Sequence, residues 1–394
     1  MMIPRAAANT AKILARGFPI VALTGPRQSG KTTLARTLFS EHEYVSLEDP
    51  ETRDFASRDP RRFLARYSNG AIIDETQRCP DLFSYLQGIV DKNQRKGEFI
   101  LTGSQQFGLH SGISQSLAGR VGLINLLPLS IAELQNDQRL PQTLDQTLLQ
   151  GGYPPIHDRN LEPALWFPNY VSTYLERDVR QMLEIRNLDQ FQRFVKLCAA
   201  RTGQILNLSS LANDCGISHV TAGQWMNVLE ASYLVLRLRP YFRNFGKRLV
   251  KRPKLYFLDA GLAAWLMGIK DVTTLSTHAH RGALFETMIV SEFIKARYNE
   301  GQPADLYFWR DNVGHEIDLI QEQAGHLQAI EIKSGATFVR EWLKPIKKWQ
   351  DITKELSFTP RIIYGGTESY QRENAKVESW QNPTQFLNPL KPET

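Results

Sequence analysis

Apolar and polar positions along this chain follow two different periods, and the changes of period mark its parts. Pro19-Ile-Val-Ala-Leu23 is a short apolar run. A polar, glycine-containing stretch follows, and then Thr33-Leu-Ala-Arg-Thr-Leu-Phe39 repeats its apolar residues at helical spacing. The spacing predicts a buried strand turning through a loop into a helix. Glu43 to Leu47, Gly70 to Asp74 and Glu98 to Ser104 read as further strands, and residues 48–62 read as a polar stretch. Between Pro128 and Arg180, helical stretches are broken at Pro141, Gly151-Gly152, Pro154-Pro155 and Pro168. Gly282 to Tyr298 predicts a long amphipathic helix. Leu306 to Arg310 and Gly314 to Gln321 predict a hairpin around Asp311-Asn312, and Leu327 to Gly335 predicts one more strand.

The loop after the first strand carries chemistry. Gly25-Pro26-Arg27-Gln28-Ser29-Gly30-Lys31-Thr32, with Thr33 behind it, fits G-x-x-x-x-G-K-[ST] at every fixed position. Gly25 and Gly30 let the backbone turn its N–H groups onto phosphate oxygens, and the N-terminus of the following helix favours an anion. Lys31 brings a point charge to the terminal phosphates, and the Thr32 hydroxyl can ligate magnesium. ATP and Mg2+ are therefore the expected ligands. The strand ending in Asp74-Glu75 comes about forty residues later, at the distance where an acidic partner is expected. Asp74 is the expected outer-shell magnesium ligand, and Glu75 the group that orients and polarises the attacking water. In related ATPases the strand ending at Thr102-Gly-Ser104 lies between these two. Thr102 or Ser104 is then a sensor of the terminal phosphate, with a loop-capping serine as the alternative. Arg120, after Gly119, is a candidate to read phosphate within the subunit or from a neighbour, the alternative being a solvated arginine.

Five segments together carry a resemblance: Leu23 to Leu34, Ile73-Asp-Glu75 with Gln77-Arg78 and Pro80, Leu101 to Ser104, Leu117 to Arg120, and Gly151 to Pro154. They resemble a large prokaryotic family of predicted AAA-type ATPases that join the ATPase to a C-terminal region of unknown function, and Tyr174 to Val179 fits it as well. The resemblance implies a small helical lid over the nucleotide between Pro128 and Arg180, with Arg177 and Arg180 as phosphate or interface contacts.

Residues 208 to 234 carry a helix-turn-helix pattern. Ser209 or Ser210 is expected to cap a first helix ending at Gly216, and Ser218 a second. Val220, Trp225, Val228 and Leu229 are expected to face inward, leaving His219, Thr221, Gln224 and Asn227 as groove-facing candidates. Arg237 to Lys254 then holds eight basic residues and no acidic one, interleaved with Tyr241, Phe242 and Phe245. A winged helix would present such a hairpin to a phosphate backbone. A dimer interface, or a charged edge that blocks strand pairing, is the alternative.

In the last third, Glu331 and Lys333 share one face of a strand, since side chains alternate at period two. Asp318 joins them if the two strands pair, and Glu286 lies on the long helix. The set resembles the PD-(D/E)xK nuclease superfamily, a mixed sheet flanked by helices, with Ile317 where a proline is expected. The resemblance implies that Asp318 and Glu331 bind magnesium with the Ile332 carbonyl. Lys333 would stabilise the attacking hydroxide or the pentavalent phosphate, and Glu286 would support the metal. His278 and His280, without further ligands, read as a surface loop.

Composition adds less. A chain of 394 residues holds two or three domains, and its net charge of +6 suggests a polyanionic partner. Cys79, Cys198 and Cys215 form neither a zinc spacing nor a disulfide framework, which fits a reducing cytosol. Met1 to Thr10 lacks the apolar core of a signal peptide, and Leu255 to Ile269 is too short to span a membrane and contains Asp259. The expectation is a soluble cytoplasmic α/β protein. It comprises a P-loop AAA-type parallel sheet (1–127), a helical lid (128–190), a winged helix-turn-helix (191–270) and a C-terminal α/β PD-(D/E)xK nuclease-like domain (271–394). Its expected partner is nucleic acid, DNA first, with no membrane; a homo-oligomer is compatible with the pattern. The alternative is a nucleotide-controlled switch whose C-terminal regions bind a protein.

Overall fold

The computed structural model describes residues 2–104, 117–174, 187–241, 250–323, 326–353 and 358–387. Helix α1 (Ala7–Gly17) leads into β1 (Ile20–Thr24), and α2 (Lys31–Leu38) follows the loop. With β2 (Glu43–Ser46), β3 (Ala71–Asp74), β4 (Phe99–Gly103) and β5 (Val121–Asn125), β1 forms an all-parallel sheet in the order β2-β3-β4-β1-β5. The strand ending at Thr102-Gly103 thus lies between the other two. Residues 48–62, read from sequence as a polar stretch, hold helix α3 (Pro50–Arg58) and the start of α4 (Pro60–Ala65). Each has an aspartate cap and a proline in its first turn: Thr52 N donates to Asp49 Oδ2 and Arg62 N to Asp59 Oδ1, both at 3.0 Å. Ile20 and Ala22 of β1 pack with Leu82 and Leu86 of α5 (Leu82–Asn93), while Val21 and Leu23 pack with Ala7, Ala11, Leu34 and Ala35 on the other face. Cover on both faces is why β1 reads as an unbroken apolar run.

Helices α6 (Ile131–Asn136), α7 (Leu144–Gln150), α8 (Pro154–Asp158) and α9 (Pro163–Tyr170) form the middle region. Their apolar residues share one core with the C-terminal half, where Leu148, Tyr153 and Phe167 belong to the cluster that holds Trp225, Leu262 and Phe285. Contact with the phosphate loop comes from α9, whose Trp166 Nε1 donates to Gln28 Oε1 at 3.2 Å. The Gly151-Gly152 pair has a packing reason: a Cβ on Gly151 would lie 2.2 Å from Asp259 Oδ1, and one on Gly152 2.3 Å from Leu129 O. Gly152 N also donates to Asp259 Oδ2 at 2.7 Å, tying this turn to the C-terminal half. Arg177 and Arg180 lie outside the described residues.

Next come α10 (Leu188–Ala200), β6 (Gln204–Ile205), α11 (Leu208–Cys215), α12 (His219–Ala231), β7 (Val235–Pro240) and β8 (Lys254–Phe257). Gly216, at φ 65, closes α11, and Thr221 N donates to Ser218 Oγ at 3.0 Å, so both expected signals hold. The cap of α11 is instead Asn207, which accepts from Ser210 N at 3.2 Å. Val220 is 68% exposed, because the inward stripe of α12 is Ala222, Trp225, Met226 and Leu229, at i, i+3, i+4 and i+7. His219, Gln224 and Asn227 are exposed and Thr221 is half-buried.

Helices α13 (Ala260–Leu266), α14 (Val272–Ser276) and α15 (Arg281–Asn299) precede β9 (Leu306–Arg310), β10 (Glu316–Gln323) and β11 (His326–Lys333). Helix α16 (Leu343–Ile352), β12 (Phe358–Tyr364), β13 (Tyr370–Arg372), β14 (Ala375–Ser379) and α17 (Pro383–Leu387) complete the described fold. Its mixed sheet runs β13-β14-β12-β11-β10-β9-β7-β8-β6. Parallel pairing of Arg239 with Tyr307 and Pro240 with Phe308 joins β7 to β9, so one sheet continues across the boundary expected at 270. Among the described residues, no helix is long and apolar enough to cross a membrane.

Candidate nucleotide site and carboxylate–lysine cluster

The loop between β1 and α2 has the shape its glycines predict. Gly25 stands at φ +145, where a Cβ would lie 2.1 Å from Leu126 O, and Gly30 stands at φ +92. Lys31 Nζ turns back onto the loop and donates to Gly25 O at 3.0 Å and Pro26 O at 2.7 Å. Burial lowers its pKa to about 8, against the raising influence of Glu75 and Asp74. Ser29 Oγ is buried without a hydrogen-bond partner among the described residues. A buried amine held only by neutral carbonyls beside an unpaired hydroxyl fits an anionic ligand, since a triphosphate would supply charge to one and acceptors to the other. Arg5 braces the loop from behind, donating to Ser29 O and Leu127 O at 2.6 Å each and pairing with Glu133 at 3.0 Å. Arg27 reaches Glu48 at 3.3 Å. Thr33 and Gly30 border a cavity of about 300 Å³ with Ile3, Leu129 and Pro154, beside the loop.

The carboxyl ends of the neighbouring strands meet this loop. Thr32 Oγ1 donates to Asp74 Oδ1 at 3.0 Å, Thr102 Oγ1 bonds the same oxygen, and Tyr44 OH donates to Asp74 Oδ2 at 2.9 Å. Burial, and then the Asp74 carboxylate, push the Tyr44 phenol up to about 12, so it stays a donor. Thr32 and Asp74 thus present adjacent oxygens, the donor set a hard cation takes. Glu75 sits in left-handed backbone at φ 56. Its carboxylate accepts from Gln77 Nε2 and, at 3.3 Å, from Ser104 Oγ. Gln77 also bridges to Ser104 at 3.3 Å, while its own Oε1 is buried with no partner among the described residues. Of the two sensor candidates, Thr102 is turned to Asp74 and Ser104 to Glu75.

Arg120 departs from expectation. It forms a fork to Asp91 with contacts of 2.5 and 2.8 Å. Its carbonyl accepts from Ile20 N, the first residue of β1, whereas the loop follows Thr24, the last. Arg120 therefore lies at the opposite end of the sheet from the loop and does not read phosphate within its own subunit. Tyr44, Gln77 and Arg5 join the site without having been expected there. Gln77 stands two residues after Glu75 in the turn and was findable, while Arg5 acts across 128 positions of sequence to Glu133 and gave no local signal.

The C-terminal tetrad does come together. Lys333 Nζ lies 2.7 Å from Glu331 Oε2 and 3.2 Å from Asp318 Oδ2, and carboxylate oxygens of Glu286, Glu316 and Asp318 lie within 4.8 Å of one another. Into this cluster β8 inserts Lys254, 2% exposed, whose Nζ is 2.9 Å from Glu286 Oε1 and also pairs with Glu316. Tyr256 OH bonds Glu286, and Arg310 reaches Glu316 at 2.9 Å. Burial pushes Glu331 and Glu286 up, the latter against Lys254. For Asp318 burial also raises the pKa, but Lys333, Lys254 and the Ile332 N–H at 2.8 Å outweigh it and hold the carboxyl below its usual range.

Four carboxylates thus face three cations, Lys254, Lys333 and Arg310, which already offset most of the charge. As arranged, Lys254 holds the place a cation would take between Glu286 and Glu316, and Lys333 bridges the expected magnesium ligands Asp318 and Glu331. The sequence placed Lys254 at the end of a basic surface run; only the fold turns it inward. Glu316, two residues before Asp318 on the same face, was legible from the period of two. His280 Nε2 meets Ala200 O at 3.1 Å, as befits a structural histidine.

The basic run Arg237 to Lys254 is described in part. Residues 242–249 lie outside the described set, Arg237 is paired with Glu230 at 2.8 Å, and Tyr241 is buried against Trp349. Arg239 and Lys251 border a groove of about 750 Å³ with Tyr307 and Glu322.

Comparison with known proteins gives three consecutive family matches. Residues 17–135 match the AAA domain, 141–273 a Domain of unknown function (DUF8612), and 281–382 a Domain of unknown function (DUF4143). Uncharacterized protein Rv2008c of Mycobacterium tuberculosis and Uncharacterized protein Mb2031c of Mycobacterium bovis are each 34% identical over 343 residues, covering 86% of this chain and 75% of theirs. Among solved structures, the Walker-type ATPase paby2304 of Pyrococcus abyssi is similar at 14% identity and a TM-score of 0.43, over 67% of this chain and 96% of that one. The RuvB Holliday junction branch migration motor of Thermotoga maritima is similar at 20% identity and a TM-score of 0.30, over 59% and 86%. The chain belongs to the family of the two mycobacterial proteins, and in this chain an AAA-type P-loop ATPase domain is joined to two domains of unknown function.

Proposed function

We propose that this chain binds and hydrolyses ATP with magnesium at the loop Gly25 to Thr32, and couples nucleotide state to nucleic acid held along α12 and the groove edged by Arg239 and Lys251. The observation that carries the reading is the meeting of Lys31, Thr32, Asp74 and Glu75 at the carboxyl ends of one parallel sheet. ATP with its metal would supply the polarised terminal phosphoryl group. Lys31, released from the Gly25 and Pro26 carbonyls, neutralises phosphate charge. Glu75, aimed by Gln77 and Ser104, accepts the proton of the attacking water. Residues 191–270 then act as a winged helix, with His219, Gln224 and Asn227 on its open face. ATP hydrolysis measured with and without duplex and single-stranded DNA tests the coupling: stimulation that declines with salt is expected. Flat rates without DNA binding would favour a switch that engages a protein.

Metal-dependent cleavage at Glu286, Asp318, Glu331 and Lys333 is a second reading, favoured by the convergence of the tetrad in a sheet flanked by α15 and α16. It requires Lys254 to leave Glu286 and Glu316, and is the weaker reading for that reason. Cleavage of DNA by the wild type that is lost on Lys333→Ala would establish it.

A further inference from the structure

Helix α12 ends in a Schellman closure. Leu234 N donates to Leu229 O and Tyr233 N to Glu230 O, both at 3.0 Å, the paired bonds that define the motif. The residue between helix cap and strand in such a closure must adopt left-handed backbone, where glycine is usual and asparagine tolerated. Here it is Tyr233, at φ 56. A bulky side chain there is an outlier that persists only when its surroundings demand it.

The surroundings lie in the ATPase domain. Tyr233, 3% exposed, sends its hydroxyl to Asn125 Oδ1 and Thr24 Oγ1, both at 2.8 Å, and Thr24 Oγ1 donates to Asn125 Oδ1 at 2.6 Å. These contacts span 108 and 209 positions of sequence. Thr24 is the last residue of β1 and is bonded directly to Gly25, where the phosphate loop begins; Asn125 is the last residue of β5. Two hydroxyl protons serve three contacts, so a small displacement can redistribute the bonds of this triangle without unmaking it. The strained residue at the end of α12 is thus held by the root of the loop.

We propose that Tyr233 is a positioning residue that ties the orientation of α12 to the phosphate loop, so that nucleotide at the loop and a partner on the open face of α12 influence one another through one buried hydroxyl. The inference rests on the nucleotide reading of the loop and on no particular partner for α12. Coupling of this kind is reciprocal: whatever nucleotide does to α12, a ligand of α12 does to nucleotide affinity.

Amide hydrogen exchange of the full chain, with and without ADP or a non-hydrolysable ATP analogue plus Mg2+, tests it. In the wild type, nucleotide should slow exchange in 25–32 and, by at least about threefold, in 219–233. Tyr233→Phe keeps the ring and removes the hydroxyl; it should retain the loop's protection and lose the response of 219–233. Thr24→Val removes the same hydrogen bond from the other side, should do likewise, and serves if the tyrosine variant folds poorly. A merely structural role would lower the melting temperature and leave the nucleotide response in place. Protection of the loop with none at 219–233, or an α12 response unchanged in both variants, overturns the proposal. No protection at 25–32 in the wild type overturns the nucleotide reading itself, and this proposal with it.

Discussion

Thr32 Oγ1 lies 3.0 Å from Asp74 Oδ1, and Tyr44 holds the second oxygen of the same carboxylate at 2.9 Å. A carboxylate fixed on one side is pre-aimed on the other, and outer partners of this sort commonly tune cation affinity by about 10–100-fold. Tyr44→Phe should raise the Mg2+ concentration for half-maximal ATP hydrolysis by about tenfold. A magnesium titration of ATPase rate checks this, and an unchanged midpoint would remove Tyr44 from the site.

Lys31 and Glu75 should fail differently. Lys31→Ala removes charge from phosphate and should weaken nucleotide binding while abolishing turnover. Glu75→Gln should leave affinity within a fewfold and lower the rate by about 10²–10⁴, the usual contribution of a general base. Fluorescent-nucleotide binding alongside phosphate release separates the two.

Burial brings Lys31 from its ordinary 10.5 down to about 8. An anionic ligand favours the charged amine, so nucleotide affinity should be full below pH 8 and fall above it, by up to about tenfold per unit. Binding near pH 8 should take up about half a proton, read by calorimetry in buffers of different ionisation heat. For folding the sign is opposite. Between pH 8 and 10.5 the unfolded chain holds this proton more firmly than the folded one, so the residue's contribution to stability rises with pH across that window.

Lys254→Met strips the cation from a buried cluster of carboxylates. Breaking such a pair costs about 3–5 kcal/mol, so the melting temperature should fall. Millimolar Mn2+ should restore much of that loss in the variant and leave the wild type unmoved. If Mn2+ stabilises the wild type equally, Lys254 does not stand in the metal's place.

Neutralising Arg239 and Lys251 should weaken DNA binding and flatten its salt dependence by about one unit of slope for each phosphate no longer neutralised. Arg237→Ala should affect stability more than DNA, because Glu230 already holds that guanidinium. Binding isotherms at several salt concentrations distinguish the two sets.

What the sequence disclosed, and what it withheld, divides by distance along the chain. The loop, the strand ending at Asp74-Glu75 and the Glu331/Lys333 face were legible because period and spacing are local. Helices α3 and α4 were missed although Asp49-Pro50 and Asp59-Pro60 are start signals, since the stretch is polar and its packing face short. Of the readings open for Arg120, only the one within the subunit falls, and sequence could not remove it because spacing after a turn glycine does not say which end of a strand a residue occupies. Lys254 and Tyr233 were invisible as participants: each acts on a partner brought near by topology, and a run of basic residues looks the same whether its last member faces water or carboxylates.

The pairing of β7 with β9 bears on how this protein can be dissected. Among the described residues two pairs make the joint, with Tyr241 N donating to Phe308 O at 2.7 Å beside them, and a fragment ending between the second and third matched segments would strip β7 of β9 and leave Leu262 and Trp225 without the cover they share with Phe285. A sheet edge newly exposed in this way invites edge-to-edge aggregation. Fragments cut between the second and third matched segments should therefore precipitate, whereas co-expressed halves should re-form the sheet and stay in solution.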